Sequence, residues 1–324
     1  PDTKKCAQTG QFSMLQRWLM PFDISVELFG QKYANPLVMA SGTFGCGEIY
    51  EDFLDYSRIG AFVTKAVTKE PRAGNKPQRL VETPSGLLNA IGLQNEGLKN
   101  FIEEKLPNFE NYPCKIWVNV SGASFEEYEH IVTELNPFDS VSVFEINVSC
   151  PNVAHGGMNF GTSCNDIRQL TSNLKKISKK PIIIKLTPNV TSIAEMAVSA
   201  EQAGADGLTV ANTFLGMAID TEKRKPVLDN VTGGLSGPAI KPLALRCVYQ
   251  VYKAVKIPII ACGGISNHDD VLEFIMAGAS LVQIGTAVFK YPRCPEEIEN
   301  GLLEWGKAKN LNNISELRGV AHDA

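Results

Sequence analysis

Polar groups capable of chemistry stand where the apolar runs of this chain break off. In chain order they are Ser41 with Gly42, Lys65, Asn119, Asn147 with Cys150 and Asn152, Lys185, Asn212 with Thr213, Gly263 with Gly264, and Gly285 with Thr286. A lysine or asparagine inside an otherwise apolar strand is costly to bury unpaired, so each requires a ligand, another side chain or water. Capping of a loop carbonyl explains any single asparagine well. Recurrence over five runs points instead to one shared ligand site. Lys65 and Lys185 have no Asp or Glu beside them on their own runs, and a buried ammonium without a partner loses its proton. The two lysines are therefore expected to meet an anionic or electron-rich guest. In "EINVSCPNVAHGG", residues 145–157, a lone thiol sits between two asparagines where alternation gives way to Pro, Asn and Gly.

The glycines supply a second kind of group. "CGGI" and "IGTA", after the seventh and eighth runs, offer bare backbone N–H groups where barrels often bind phosphate. Turn geometry explains either pair alone equally well; their joint occurrence favours phosphate. Neutral amides match an imide or ureide edge, because Asn carries donor and acceptor side by side, and a lysine counters a carboxylate. The set suits flavin mononucleotide (FMN) stacked against a small, oxygen-rich heterocycle.

Positioning such groups falls to eight short runs: 35–42, 59–67, 114–122, 143–150, 180–189, 205–213, 257–264 and 280–288. Most are β-branched and continuously apolar, as strands covered on both faces are. Helical patterns lie between them. "SFEEYEHIVTEL" predicts a capping box from Ser124 to Glu127, and "NDIRQLTSNLKKISKK" predicts a helix opening on Asn165 and closing on lysines. Helix, tight glycine turn and strand repeat, which predicts a single-domain (β/α)8 TIM barrel, with an open doubly wound sheet as the alternative. Residues 68–113 and 214–238 are long connections after strands, and in a barrel such loops cover the catalytic face.

The 324 residues are 44% hydrophobic and carry a net charge of -4, which suits a soluble globular protein without the basic field of a nucleic-acid binder. Eight scattered cysteines show no CxxC and no Cys/His ligand spacing; no metal or cluster site is expected, and a reducing cytoplasm is. No apolar run reaches membrane-spanning length, and no signal layout opens the chain. "FSMLQRWLM", residues 12–20, reads as a short amphipathic docking segment rather than a membrane tether.

Five stretches, "ASGTFGCGEIYEDF", "VTKAVTKEPRAGNKPQRLVETPSGLLNAIGLQNEG", "EINVSCPNVAHGGMNFG", "VKIPIIACGGI" and "GGLSGPAIKPLALRCVYQV", resemble the dihydroorotate dehydrogenases, in particular the catalytic subunits of their class 1B form. The resemblance covers residues 24–320, leaving 1–22 as an N-terminal extension before an FMN-binding barrel over 23–324. It implies oxidation of dihydroorotate to orotate in pyrimidine synthesis. By the same resemblance Ala40, Ser41, Gly42, Lys65, Asn119, Asn147, Lys185, Ser236, Gly237, Gly263, Gly264, Gly285 and Thr286 contact FMN. Asn89, Gly92, Leu93, Asn147, Asn152, Asn212 and Thr213 hold the substrate, with Lys65 near its carboxylate. Cys150 matches the catalytic base; a reference thiol pKa of about 8.5 puts some thiolate within reach at mildly alkaline pH, and that thiolate can take one proton while flavin N5 takes hydride.

Cys46, Cys114, Cys247 and Cys262 read as structural thiols. His155 reads as a loop histidine rather than the base, on a cover formed by "PNVAHGGMNFGTS". The resemblance further implies a homodimer that passes electrons to NAD through a partner subunit bearing FAD and an iron-sulfur cluster, since this chain has neither a GxGxxG fingerprint nor cluster ligands. The alternatives are a class 1A enzyme using fumarate alone, a flavin-dependent reductase of pyrimidine bases, and a non-catalytic flavin- or phosphate-binding barrel.

Overall fold

Eight parallel strands follow one another in chain order and close on themselves: β1 (Leu37–Met39), β2 (Ala61–Val63), β3 (Lys115–Val120), β4 (Val143–Asn147), β5 (Ile182–Lys185), β6 (Gly207–Val210), β7 (Ile259–Cys262) and β8 (Leu281–Ile284). Each lies within one of the eight apolar runs. The computed structural model describes residues 22–149 and 160–323; the segment 12–20 lies outside them. From β3 onward each strand is followed by a helix: α1 (Phe125–Leu135), α2 (Cys164–Ile177), α3 (Ile193–Gln202), α4 (Lys241–Ala254), α5 (His268–Met276) and α6 (Cys294–Lys309). The arrangement is a (β/α)8 barrel, in accord with the repeated helix, glycine turn and strand of the sequence.

The continuous apolarity of the strands conceals a two-residue alternation. Outward positions such as Phe62, Ile116, Val118, Phe144, Ile146, Ile182 and Ile184 join the core beneath the helices. Inward positions form a separate cluster of Val38, Ala61, Val63, Trp117, Val143, Ile183, Ile260 and Leu281, all free of solvent. An antiparallel hairpin, Val26–Leu28 with Gln31–Tyr33, lays Val26, Leu28, Phe29 and Tyr33 against this layer. Phe29 and Tyr33 both meet the Trp117 ring edge-on. Gly207 is small for the same reason, since a Cβ there would lie 2.9 Å from the Phe29 ring. Each Leu or Ile fully removed from water contributes about 1.5–3 kcal/mol, so this floor is a substantial part of the barrel's stability.

Helices α1, α2, α3 and α5 start on hydroxyl or amide caps. Ser124 accepts from Glu127 N as expected, but the Glu127 carboxylate accepts from Ala123 N rather than closing the box on Ser124. Helix α2 is capped by Ser163, not Asn165, because the Ser163 hydroxyl accepts from Asp166 N. Its last turn carries Lys175 and Lys176, which suit the negative end of the helix dipole. A complete box forms at α5, between Asn267 and Asp270.

The two long connections combine into one element. Strands Leu80–Thr83 and Gly86–Asn89, from the loop after β2, pair with Thr232–Ser236 and Phe214–Met217, from the loop after β6. The result is a four-stranded antiparallel sheet outside the barrel. It brings Asn89 opposite Gly234 and Leu87 opposite Ser236, so segments separated by some 150 residues of chain share one register.

Candidate active site

Two residues above the apolar floor, the inward positions turn polar. Asn119 of β3, Glu145 of β4, Lys185 of β5, Thr209 of β6 and Gln283 of β8 are all buried. Lys185 Nζ donates to Glu145 Oε1 at 3.2 Å and to Gln283 Oε1 at 3.1 Å. Asn119 Nδ2 donates to the same Glu145 oxygen at 2.8 Å. Thr209 Oγ1 donates to Glu145 Oε2 at 2.8 Å, and Gln283 Nε2 donates to it as well. This corrects, for Lys185, the expectation that a lysine with no acidic neighbour on its own run must meet an anionic guest. Lys185 has an acidic neighbour, but on the adjacent strand, where reading along a single strand does not find it. Burial is the largest single influence on Lys185 and favours the neutral amine; the Glu145 charge, Cys262 and the hydrogen bond to Glu145 together outweigh it and hold the lysine above its ordinary range.

Asn119 Oδ1 is buried without a protein partner among the described residues. Cys262, expected to be a structural thiol, lies at the inner end of β7 and interacts electrostatically with Lys185. Burial raises its pKa and outweighs the lysine's opposing effect, so it serves as a neutral wall of this layer. The signal for Glu145, Thr209 and Gln283 was available in sequence: they share the inward parity with Val143, Gly207 and Leu281.

Higher still, the strand ends converge. Asn147 Oδ1 accepts from Asn212 Nδ2 at 3.4 Å and from Ser149 N at 3.1 Å. The Asn147 carbonyl accepts from the Tyr128 hydroxyl of α1. Asn212 Oδ1 accepts from Thr213 N at 2.8 Å. Asn89 Nδ2 donates to Gly234 O at 3.2 Å, and Gly234 itself abuts Thr213 so closely that a Cβ would come within 2.1 Å of its hydroxyl. The outer sheet thus delivers Asn89 to the neighbourhood of Asn212 and Thr213.

Ser236, Gly237, Gly263, Gly264, Gly285 and Thr286 assemble around the start of α4. Thr286 Oγ1 donates to Ser236 Oγ at 2.7 Å. Gly237, Gly263 and Gly264 all take positive φ. A Cβ on Gly264 would lie 2.7 Å from Lys241 N, and one on Gly263 would lie 2.7 Å from Ala244. Glycine is required here because the β7 loop presses directly onto the helix. Asp270 fixes that loop from behind, accepting from Ser266 N, Ser266 Oγ and Asn267 N while Lys241 Nζ donates to it at 2.8 Å. Ala40, Ser41 and Gly42 follow β1 alongside; Ala40 N donates to Ile284 O at 2.8 Å, and Gly42 has open space where its side chain would be.

Lys65, two residues past β2, stands apart from the Lys185 group. It borders a cavity of about 640 Å³ also lined by Cys46, Arg72, Gln94, Asn95 and Lys105. Burial lowers its pKa most, and the positive charge of Arg79 lowers it further; Glu96 is the least of the influences on it. Arg79, a residue that the sequence reading passed over, is steadied by Asn75 O at 3.2 Å and Gln94 Oε1 at 2.6 Å. Gly92 and Leu93 both adopt positive φ. Asn75 Nδ2 donates to Ala90 O and Asn95 Nδ2 to Leu93 O, so this backbone is held from both sides. Cys150, Asn152 and His155 lie outside the described residues.

A polar layer sealed below and open above to glycine-rich strand ends is the layout of a (β/α)8-barrel enzyme. The family model described as dihydroorotate dehydrogenase matches residues 23–305. A protein of Desulforamulus reducens named dihydroorotate dehydrogenase B (NAD(+)), catalytic subunit, is 50% identical over 303 residues, 94% of this chain and 100% of that protein. Proteins of the same name from Brachyspira hyodysenteriae and Geobacter sp. are 47% and 49% identical over 92% of this chain, covering 99% and 98% of their own lengths. The chain belongs to the dihydroorotate dehydrogenase family and is an oxidoreductase. Among the described residues no helix is long and apolar enough to cross a membrane.

Proposed function

We propose that this chain is the catalytic subunit of an NAD-linked dihydroorotate dehydrogenase of the cytoplasm, oxidising dihydroorotate to orotate with FMN as its resident cofactor. The observation that carries the reading is the buried Lys185 beside an amide oxygen, Asn119 Oδ1, that has no protein partner among the described residues. The residues fit FMN: a cation and an open acceptor suit the polar edge of a flavin ring. The cradle of Ser236, Gly237, Gly263, Gly264, Gly285 and Thr286 at the start of α4 suits its phosphate. Ala40, Ser41, Gly42, Lys65 and Asn147 would complete the contacts.

When bound, FMN supplies the two-electron acceptor. The chain's own groups do the remaining work. Asn89, Asn147, Asn152, Asn212 and Thr213, with the backbone at Gly92 and Leu93, orient the pyrimidine ring, and Lys65 balances its carboxylate. The Cys150 thiolate removes the proton from one carbon of the saturated bond, while the hydrogen on the other leaves as hydride to the cofactor. The naming of the relatives as NAD(+)-linked catalytic subunits supports electron transfer to NAD through a second subunit, which by the family resemblance carries FAD and an iron-sulfur cluster.

Anaerobic mixing of purified protein with dihydroorotate is expected to bleach the flavin absorbance. Cys150→Ser should slow that bleaching on the order of a hundredfold, with recovery at high pH. A Cys150→Ser protein that bleaches at the native rate would remove the base from the scheme.

A further inference from the structure

Glu145 takes no part in the chemistry proposed above, yet none of its surface reaches solvent and it collects donors from four other strands. Two neutral donors, Thr209 and Gln283, hold Oε2; Asn119 and Lys185 share Oε1. Asn119 thereby uses an amide N–H on Glu145 while its Oδ1 has no protein partner among the described residues. Lys185 directs two donations to protein, at Glu145 and Gln283, out of the three an ammonium can make.

We propose that Glu145 is a positioning residue for the cofactor: clamped by Thr209 and Gln283, it supplies the buried counter-charge of Lys185 and fixes Asn119, so that ammonium and amide oxygen meet the flavin as a preset pair. The inference rests on the FMN reading. The titratable groups acting on Lys185 are Glu145 from β4 and Cys262 from β7; Asn119, Thr209 and Gln283 are neutral. Without Glu145, burial acts on the lysine almost alone, and a lysine so placed titrates below its ordinary range.

Glu145→Gln keeps the shape of the side chain and removes its charge. The experiment is a potentiometric titration of the flavin in the purified holoenzyme between about pH 6 and 9, a range that a desolvated lysine reaches. In the native protein Lys185 stays protonated in both redox states and adds no proton to the reduction. In Glu145→Gln the neutral amine is expected to take up one proton as negative charge arrives beside it. The midpoint potential should then fall more steeply than native, by about 30 mV per pH unit, the equivalent of a tenfold change for a two-electron couple. An unchanged slope overturns the proposal. Native protein that purifies without flavin and cannot be loaded with it overturns the FMN reading instead, and is seen before any variant is made.

Glu145→Gln leaves a buried lysine without its counter-charge, so Glu145→Gln/Lys185→Met serves as the second arm. It is expected to fold at least as well as the single variant and to return to the native slope. A double variant whose slope stays steep, or one that folds no better where the single variant fails to fold, overturns the proposal.

Discussion

Lys65 is the residue on which the pH response of substrate binding should turn. Its pKa is held below the ordinary 10.5, first by burial and then by Arg79. As pH rises through that lowered value the ammonium is lost, so affinity for a carboxylate falls earlier than it would for a free lysine. KM for dihydroorotate is therefore expected to climb on the alkaline side, and Lys65→Ala to raise KM tenfold or more while abolishing that climb. A KM profile identical in Lys65→Ala would exclude the contact. Stability of the ligand-free protein runs the other way. The unfolded chain binds this proton more tightly, so the cost is full below the lowered pKa and gone above 10.5. Lys65, Asn119, Asn147 and Lys185 were legible because each interrupts an apolar run. Glu145 also interrupts one and was passed over, because its partners lie on four other strands and pairing across a barrel is invisible along a single segment.

Among the elements, the outer sheet does most to complete the site, and its glycines show how. Gly234 leaves room for Thr213, whose hydroxyl would otherwise lie 2.1 Å from a Cβ. Gly234→Ala is expected to displace Thr213 and raise KM several-fold with little change in the rate of flavin bleaching at saturating dihydroorotate; a KM that does not move would place Thr213 outside substrate binding. The sequence marked both long connections as covers of the catalytic face, since each follows a strand and is rich in Gly, Pro and Asn. That they pair with one another was not legible. Leu87, Leu88 and Asn89 find their register opposite Ser236, Leu235 and Gly234 only once the barrel has brought the ends of β2 and β6 to the same rim. Helix starts were read to within two residues: Ser163 stands two before the expected Asn165, and both can cap.

At the scale of the whole molecule, Leu215 and Ile219 are each 60% exposed, with Leu80, Met217 and Val231 also open on the loops that build the outer sheet. So many large apolar groups on these loops suit a face buried against another copy of the chain, as in the homodimer that the family resemblance implies. Leu215→Glu/Ile219→Lys is expected to convert a dimer to a monomer in sedimentation. Native protein that sediments as a monomer at micromolar concentration would contradict the assignment. The acceptor is tested at the same scale: the isolated chain should turn over slowly with fumarate and gain from addition of the partner subunit, and full speed with fumarate alone would favour the stand-alone class.

The hairpin of Val26–Leu28 and Gln31–Tyr33, packed with Phe29 and Tyr33 against Trp117, makes the barrel a blind-ended vessel. Among the described residues, this floor shuts the end of the barrel opposite the strand ends, and Lys185 lies above it. On the reading proposed above, an occupant near the rim would cork whatever rests beneath it, and product would leave before a deeper tenant is exchanged.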